Sequence, residues 1–149
     1  MAERVRVERV RAISADLLDR VNRRFPDHGW EAASAAHFCA DDANVLLVAY
    51  RDDLPCGLLI AYRLRCLDER RAQLFIDEVD VHADSQRRGI GRAMLTAILQ
   101  IAREMGAGEA WVQTHASNEP AVGLYHAIGG IPEDPDETIL SFAFKTQAF

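Results

Sequence analysis

The sequence predicts an α/β (α+β) fold built on a mixed central sheet. Three observations lead there. Short runs rich in Val, Leu and Ile, such as "NVLLVAY", "CGLLIAYRL" and "AQLFIDEVDV", are bounded by turn residues and read as strands. Longer runs with apolar residues three and four apart read as helices. The order is strand, two helices, an antiparallel meander, then strand–helix–strand, a further helix and a last strand, which mixes antiparallel and parallel pairing.

Each element has its own local reason. "RVRVERV" alternates apolar and charged residues, the pattern of an edge strand. Ser14 is placed to cap a helix carrying Leu17, Leu18, Val21 and Phe25 on one face, which stops near Pro26. "WEAASAAHFCA" reads as a short second helix. "NVLLVAY" and "CGLLIAYRL" flank the turn signal "RDDLP" and predict a hairpin. "AQLFIDEVDV" is a third long strand. The next helix carries Ile90, Ala93, Met94, Ala97, Ile98, Ile101 and Met105, with Gly106 and Gly108 to end it. "EAWVQTH" follows as a strand. "NEPAVGLYHAIGG" reads as a short helix with Asn118 as N-cap and Pro120 in its first turn. "TILSFAF" is expected to close the sheet.

With 149 residues the chain fits one domain spanning 1–149, large enough to bury a proper core. No apolar run approaches the roughly 20 residues a membrane helix needs, and "MAERVRVERVRA" has no apolar centre of the kind a secretory signal carries. Cys39, Cys56 and Cys66 form no CxxC pair, which argues against a zinc site or a disulfide framework and for a reduced, cytoplasmic protein. No metal is expected. The net charge of −6 disfavours nucleic acid and suits a small cationic partner.

The run "VDVHADSQRRGIGRAM" carries the first chemistry. It is not a P-loop, because GxxxxGK[ST] is absent, and Met94 stands where a dinucleotide fingerprint needs its third glycine. What remains is Gln86, Arg87, Arg88, Gly89, Ile90 and Gly91 between a strand and a helix. The first N–H groups of a helix lack internal partners and, with the dipole, favour an anion. Gly89 and Gly91 leave backbone open to a phosphate, while Arg87, Arg88 and Arg92 add fixed positive charge. The competing reading is a tight turn whose arginines are solvated.

The second motif, "NEPAVGLYHAIGG", lies one strand downstream, so a parallel sheet would bring its start beside the end of "DEVDV". With Val79 and Val81 ahead of the 86–91 turn, and Asn118, Ala121, Leu124, Tyr125 and Gly129 in this helix, the chain resembles the GCN5-related N-acetyltransferase (GNAT) superfamily. Within it, "IDEVDVHADSQRRGIGRAM", "EPAVGLYHAIG" and "RRFPDHGW" are most similar to the small aminoglycoside 3-N-acetyltransferases of type I. One departure is Asn118, which stands where the type I enzymes carry an acid, although asparagine is usual in the superfamily.

The resemblance implies the GNAT fold with a splayed parallel strand pair, acetyl-coenzyme A as cosubstrate, and often a homodimer. It implies that Arg88, Gly89, Gly91 and Arg92, with Gln86 and Arg87, hold the pyrophosphate. Val79 and Val81 would pair with the pantetheine arm, and Asn118 would reach it. Tyr125 would sit near the thioester sulfur as general acid, a role within reach of a phenol because a thiolate leaves easily. Against this stands a plain core aromatic at Tyr125.

An ammonium must lose a proton before its nitrogen attacks a thioester. Asp77, Glu78 and Asp80 put three carboxylates on one strand, where such residues are normally depleted. Strict alternation places Glu78 and Asp80 on one face and Asp77 on the other. Glu78 matches the acidic position of the type I enzymes and is the first candidate for the base, Asp80 the second. Asp27, Trp30, Asp77 and His115 are candidates for the acceptor side; His28, His37, His82 and His126 fit loops or helix surfaces. No activated Ser or Cys pair is visible, so direct transfer to an aminoglycoside amine is expected. A polyamine, an amino acid or a protein amino group is the alternative acceptor, and a non-catalytic acyl-coenzyme A-binding domain the alternative class.

Overall fold

A five-stranded sheet in the order β1-β2-β3-β4-β5 organises the chain. The computed structural model describes residues 3–145. In sequence the elements are β1 (Val5–Arg9), α1 (Ala15–Arg24), α2 (Ala32–Ala40), β2 (Asn44–Arg51), β3 (Leu54–Leu64), β4 (Gln73–Val81), α3 (Ile90–Glu104), β5 (Glu109–Val112) and α4 (Glu119–Ala127). β1 to β4 pair antiparallel and β4 pairs parallel to β5, which gives the expected mixed sheet.

The sheet is covered on both faces, and β2 shows why its apolar run is continuous. Val45, Leu47 and Ala49 join Ile90, Met94, Leu95 and Ile98 of α3 in one core, while Leu46, Val48 and Tyr50 join Val21, Phe25 and Cys39 of α1 and α2 in the other. A strand buried on two faces needs no polar alternation. Full burial of each large aliphatic side chain is worth about 1.5–3 kcal/mol, so these two cores supply most of what holds the helices down. Gly57 is needed for the approach of α3, because a Cβ there would lie 2.9 Å from both Ile90 and Met94. No helix among the described residues is long and apolar enough to cross a membrane.

Local signals act as expected at α1 and at the hairpin. The Ser14 hydroxyl accepts from the Leu17 N–H at 3.1 Å. Asp52 and Asp53 turn the β2–β3 hairpin with φ of 48° and 68°, the left-handed pair that a two-residue turn demands. β3 starts earlier than the sequence suggested and includes Pro55. A proline without an N–H is tolerated there because the register shifts opposite it, between Ala49 and Tyr50.

A second register shift is central to the site. Ile60 faces Glu78 and Ala61 faces Ile76, so Asp77 is the extra residue of a bulge in β4. Beyond it, β4 leaves β5: pairing covers only Gln73 to Ile76 against Glu109 to Val112. The two parallel strands therefore splay, and residues 77–81 keep an edge with no strand partner on the β5 side among the described residues.

Two expectations are corrected at the C-terminal end. β5 stops at Val112, three residues short of the predicted "EAWVQTH" strand. Residues 138–144, "TILSFAF", form no strand, and Ile139, Leu140, Phe142 and Phe144 stand 68–86% exposed. Propensity gives a strand only where a neighbouring edge accepts its hydrogen bonds, and four residues of β5 offer little edge.

Candidate active site

The turn between β4 and α3 is shaped by conformations that few side chains permit. Arg87 has φ 61° and Gly89 φ 78°, and Gly89 serves as N-cap of α3 without a side-chain bond. The first amide to find a helical acceptor is that of Ala93, which bonds the Gly89 carbonyl at 3.0 Å, leaving the N–H groups of residues 90–92 without helical partners. A Cβ on Gly89 would meet nothing within 4 Å, so this backbone is open to an approaching group. Arg87 and Arg92 are exposed and have no ion pair among the described residues. Arg88 bonds Glu3 at 2.7 Å, and the Gln86 amide donates to the Val81 carbonyl at 3.3 Å, tying the turn to the end of β4.

Gly91 carries a packing constraint besides the one the sequence suggested. A Cβ there would lie 2.9 Å from Leu124 of α4, so this glycine lets the two helices approach. That contact puts the second motif beside the first. Leu124 and Tyr125 pack against the same apolar cluster as Val79 and Val81. Asn118 caps α4, its side chain accepting from the Ala121 N–H at 3.4 Å. Burial pushes the Tyr125 phenol above its ordinary value, so it keeps its proton at neutral pH.

On the opposite face of β4, Glu78 and Asp80 meet a residue from far away in sequence. The loop after α1 carries His28, whose Nε2 lies 3.3 Å from Glu78 Oε1 and 3.5 Å from Asp80 Oδ2. The three donor atoms all lie within 4.8 Å of one another. His28 is mostly buried, its side chain 16% exposed, with the Phe25 ring centroid at 6.2 Å and that of Trp30 at 5.3 Å. Burial pushes the Glu78 carboxyl up, the neighbouring Asp80 and Asp77 push the same way, and His28 pulls it down.

The bulge overturns the simple alternation expected for Asp77. Burial, then the nearby Asp77 carboxylate, push the Tyr62 hydroxyl above its ordinary value, and the Tyr62 ring meets that of Phe38 of α2, so Asp77 stands with Glu78 rather than facing away from it. Trp30 is held by its backbone: its N–H donates to Asn22 Oδ1 at 2.9 Å and its carbonyl accepts from Asn22 Nδ2 at 2.8 Å. It reaches the cluster through His28. Asp27 and His115 are exposed, and the ion pairs of Glu78 and Asp80 among the described residues are with His28. His28 is the residue that sequence reading missed. Its only signal was the "PDHGW" loop, which says nothing of a strand some fifty positions later.

A clamp fixes the stretch between the β4 carboxylates and the 86–92 turn. Arg24 of α1 donates to the two Asp84 oxygens at 2.9 and 2.8 Å, and its Nε donates to the Pro55 carbonyl at 2.9 Å. Ser85, fully buried, donates to Asp84 at 2.6 Å. Hydrogen bonds from Arg24, then from Ser85 and His82, hold the Asp84 carboxyl well below the usual range.

Comparison with known proteins agrees with this geometry. Over 70% of its length, the chain is 33% identical to streptothricin acetyltransferase of Streptomyces lavendulae, covering 54% of that protein. Over 49% of its length, it is 34% identical to the [ribosomal protein bS18]-alanine N-acetyltransferase of Escherichia coli strain K12, covering 48% of that enzyme. The chain thus spans about half the length of the curated relatives it matches. Its fold is that of an aminoglycoside acetyltransferase from an uncultured soil metagenomic sample, solved in complex with sisomicin, with a TM-score of 0.76 at 20% identity over 96% of this chain and 97% of that one. A family model, the acetyltransferase (GNAT) family, matches residues 14–129, and with the splayed strands and the glycine turn in place the chain belongs to that family.

Proposed function

We propose that this chain acts as one domain that transfers the acetyl group of acetyl-coenzyme A to an amino group of an aminoglycoside, without an acyl-enzyme. The observation that carries the reading is the carboxylate pair Glu78 and Asp80 on the stretch of β4 whose outer edge has no partner, directly ahead of the cationic 86–92 turn. The residues present fit the coenzyme. Free amides at the start of α3, the open Gly89 backbone and unpaired Arg87 and Arg92 suit a diphosphate. The unpartnered edge of residues 79–81 suits an amide-bearing arm, and Asn118 is the side chain proposed to reach that arm. When bound, the coenzyme supplies an acetyl thioester already activated towards amines.

The chain's own groups then have distinct tasks. The carboxylates attract a cation, and Glu78 takes the proton that keeps the amine from attacking, with Asp80 as its neighbour and second candidate. Its raised pKa brings the base closer to the working pH, which favours proton transfer. Tyr125 holds a proton on its hydroxyl for the leaving sulfur. Asp27, Asp77, Trp30 and His115 remain as the wider acceptor side. The 3-amino position rests on the resemblance of "EPAVGLYHAIG" and "IDEVDVHADSQRRGIGRAM" to type I enzymes. The ribosomal-protein relatives favour a second reading, in which the acceptor is a protein amino group.

The test is release of free coenzyme A from acetyl-coenzyme A with a panel of amines: gentamicin-like and kanamycin-like aminoglycosides, spermidine, free amino acids and short peptides beginning with alanine. Turnover of aminoglycosides, mapped by NMR of the product, supports the reading. Turnover of peptides alone replaces it with the second. Coenzyme A binding without any transfer would leave a non-catalytic domain.

A further inference from the structure

Two carboxylates side by side on one strand face repel each other, and the lone pairs of an imidazole nitrogen and carboxylate oxygens do the same. Yet His28 Nε2 lies 3.3 Å from Glu78 Oε1 and 3.5 Å from Asp80 Oδ2. With both carboxylates ionised, the arrangement is favourable when Nε2 carries its hydrogen and shares it between the two oxygens. We infer that His28 is a positioning residue of the acceptor site: its Nε2–H bridges Glu78 and Asp80, fixes their orientation, and makes the basicity of Glu78 depend on the loop between α1 and α2. The inference rests on the N-acetyltransferase reading and assigns to that reaction a residue outside both the 86–91 turn and the α4 motif.

The surroundings leave His28 little else to do. From α1 and the following loop it is flanked by the rings of Phe25 and Trp30, neither of which carries charge. From β4 it meets Glu78 and Asp80, with Asp77 close enough to act on Glu78 in turn. His82 meets Phe25 edge-on at 5.9 Å and pairs with Asp84 instead. Trp30 is pinned through Asn22, so the imidazole cannot swing freely away from the strand. His28 favours the ionised form of Glu78, against burial and its two acidic neighbours. Without His28 the base would hold its proton to higher pH, and the two carboxylates would spread apart.

The experiment compares His28→Ala and His28→Gln with the wild type, using whichever amine the panel shows to turn over. His28→Ala is expected to lower kcat about 10- to 100-fold, at the low end of what a positioned base contributes, with KM for acetyl-coenzyme A little changed, and to move the acid limb of the kcat/KM profile to higher pH. His28→Gln keeps a donor but no charge, so it should restore most of kcat while the acid limb stays displaced. An acid limb unmoved in both folded variants overturns the inference, because a purely packing role would lower kcat without shifting it. A readout independent of turnover is the 13C NMR titration of the Glu78 side-chain carboxyl in the free protein. Its midpoint should rise in His28→Gln; an unmoved midpoint overturns the inference even where no amine reacts, and a moved one sustains it while the amine panel decides the reaction separately.

Discussion

The two ends of the proposed site, the 86–92 turn and the His28–Glu78–Asp80 cluster, are built in opposite ways. The turn draws on consecutive residues: a strand end, a left-handed Arg87 and Gly89, and the open amides of α3. Its chemistry is backbone chemistry, and a few positions in a row suffice to specify it. The cluster joins a strand to a loop some fifty residues earlier, through side-chain atoms 3.3 to 3.5 Å apart. Its chemistry exists only after the α1–α2 layer has packed on the sheet through Val21, Phe25 and Leu58. A backbone site can be kept while much of the chain around it changes. A side-chain cluster depends on every element that brings its members together.

Substitutions can break this contrast or sharpen it, and the largest effect should come from the side-chain end. Glu78→Gln preserves shape and removes the base, so kcat should fall about 10²- to 10⁴-fold. Wild-type activity should rise with pH through a Glu78 value shifted upwards, and the variant should lose that acid limb in the kcat profile. At the backbone end, Gly89→Val forces a β-branched residue into φ 78°, a strain of about 1–3 kcal/mol. Calorimetry should show coenzyme A affinity lowered at least about tenfold with circular dichroism unchanged. Unchanged affinity in a folded protein would remove the turn from the proposed site.

Between the two ends stands Tyr125. Tyr125→Phe should lower kcat by about 10- to 100-fold, less than the base because a thiolate leaves with little help, and leave KM for acetyl-coenzyme A nearly unchanged. Normal turnover would make Tyr125 a packing residue only. The clamp of Arg24 on Asp84 should matter to stability rather than to chemistry. Asp84 has a folded pKa below its unfolded value, so its contribution is present above about pH 3.8 and is lost as the pH falls further. Asp84→Asn should therefore flatten the fall in melting temperature on acidification below that pH. The smallest effect is expected at Asp27, which is exposed and unpaired with the cluster. Asp27→Asn should raise KM for a cationic amine by no more than about two- to threefold, and added salt should erase the difference.

How much of this was legible before folding follows from the range of the interactions. Ser14, the Asp52–Asp53 turn, the apolar face of α3 and Asn118 act within three or four residues, and each was read correctly. The packing constraint on Gly91 was invisible, because its neighbour Leu124 lies on another helix. Asp77 was assigned to the wrong face, since alternation says nothing about a bulge that depends on the register of β3. Pro55 was left outside β3 because its missing N–H is harmless only at a register shift. "TILSFAF" has the composition of a strand and no edge to join, and sequence alone records only the composition.

The sequence by itself determined the order of elements from β1 to α4, the apolar run of β2 and the glycine turn ahead of α3, because these rest on period, capping and backbone freedom, all properties of neighbours along the chain. Only the tertiary structure decided where β4 parts from β5, why Gly91 must be bare, and that His28 stands between Glu78 and Asp80. Those depend on register and on packing between distant segments. A hydrogen bond between side chains some fifty positions apart leaves no periodic trace in the residues that make it.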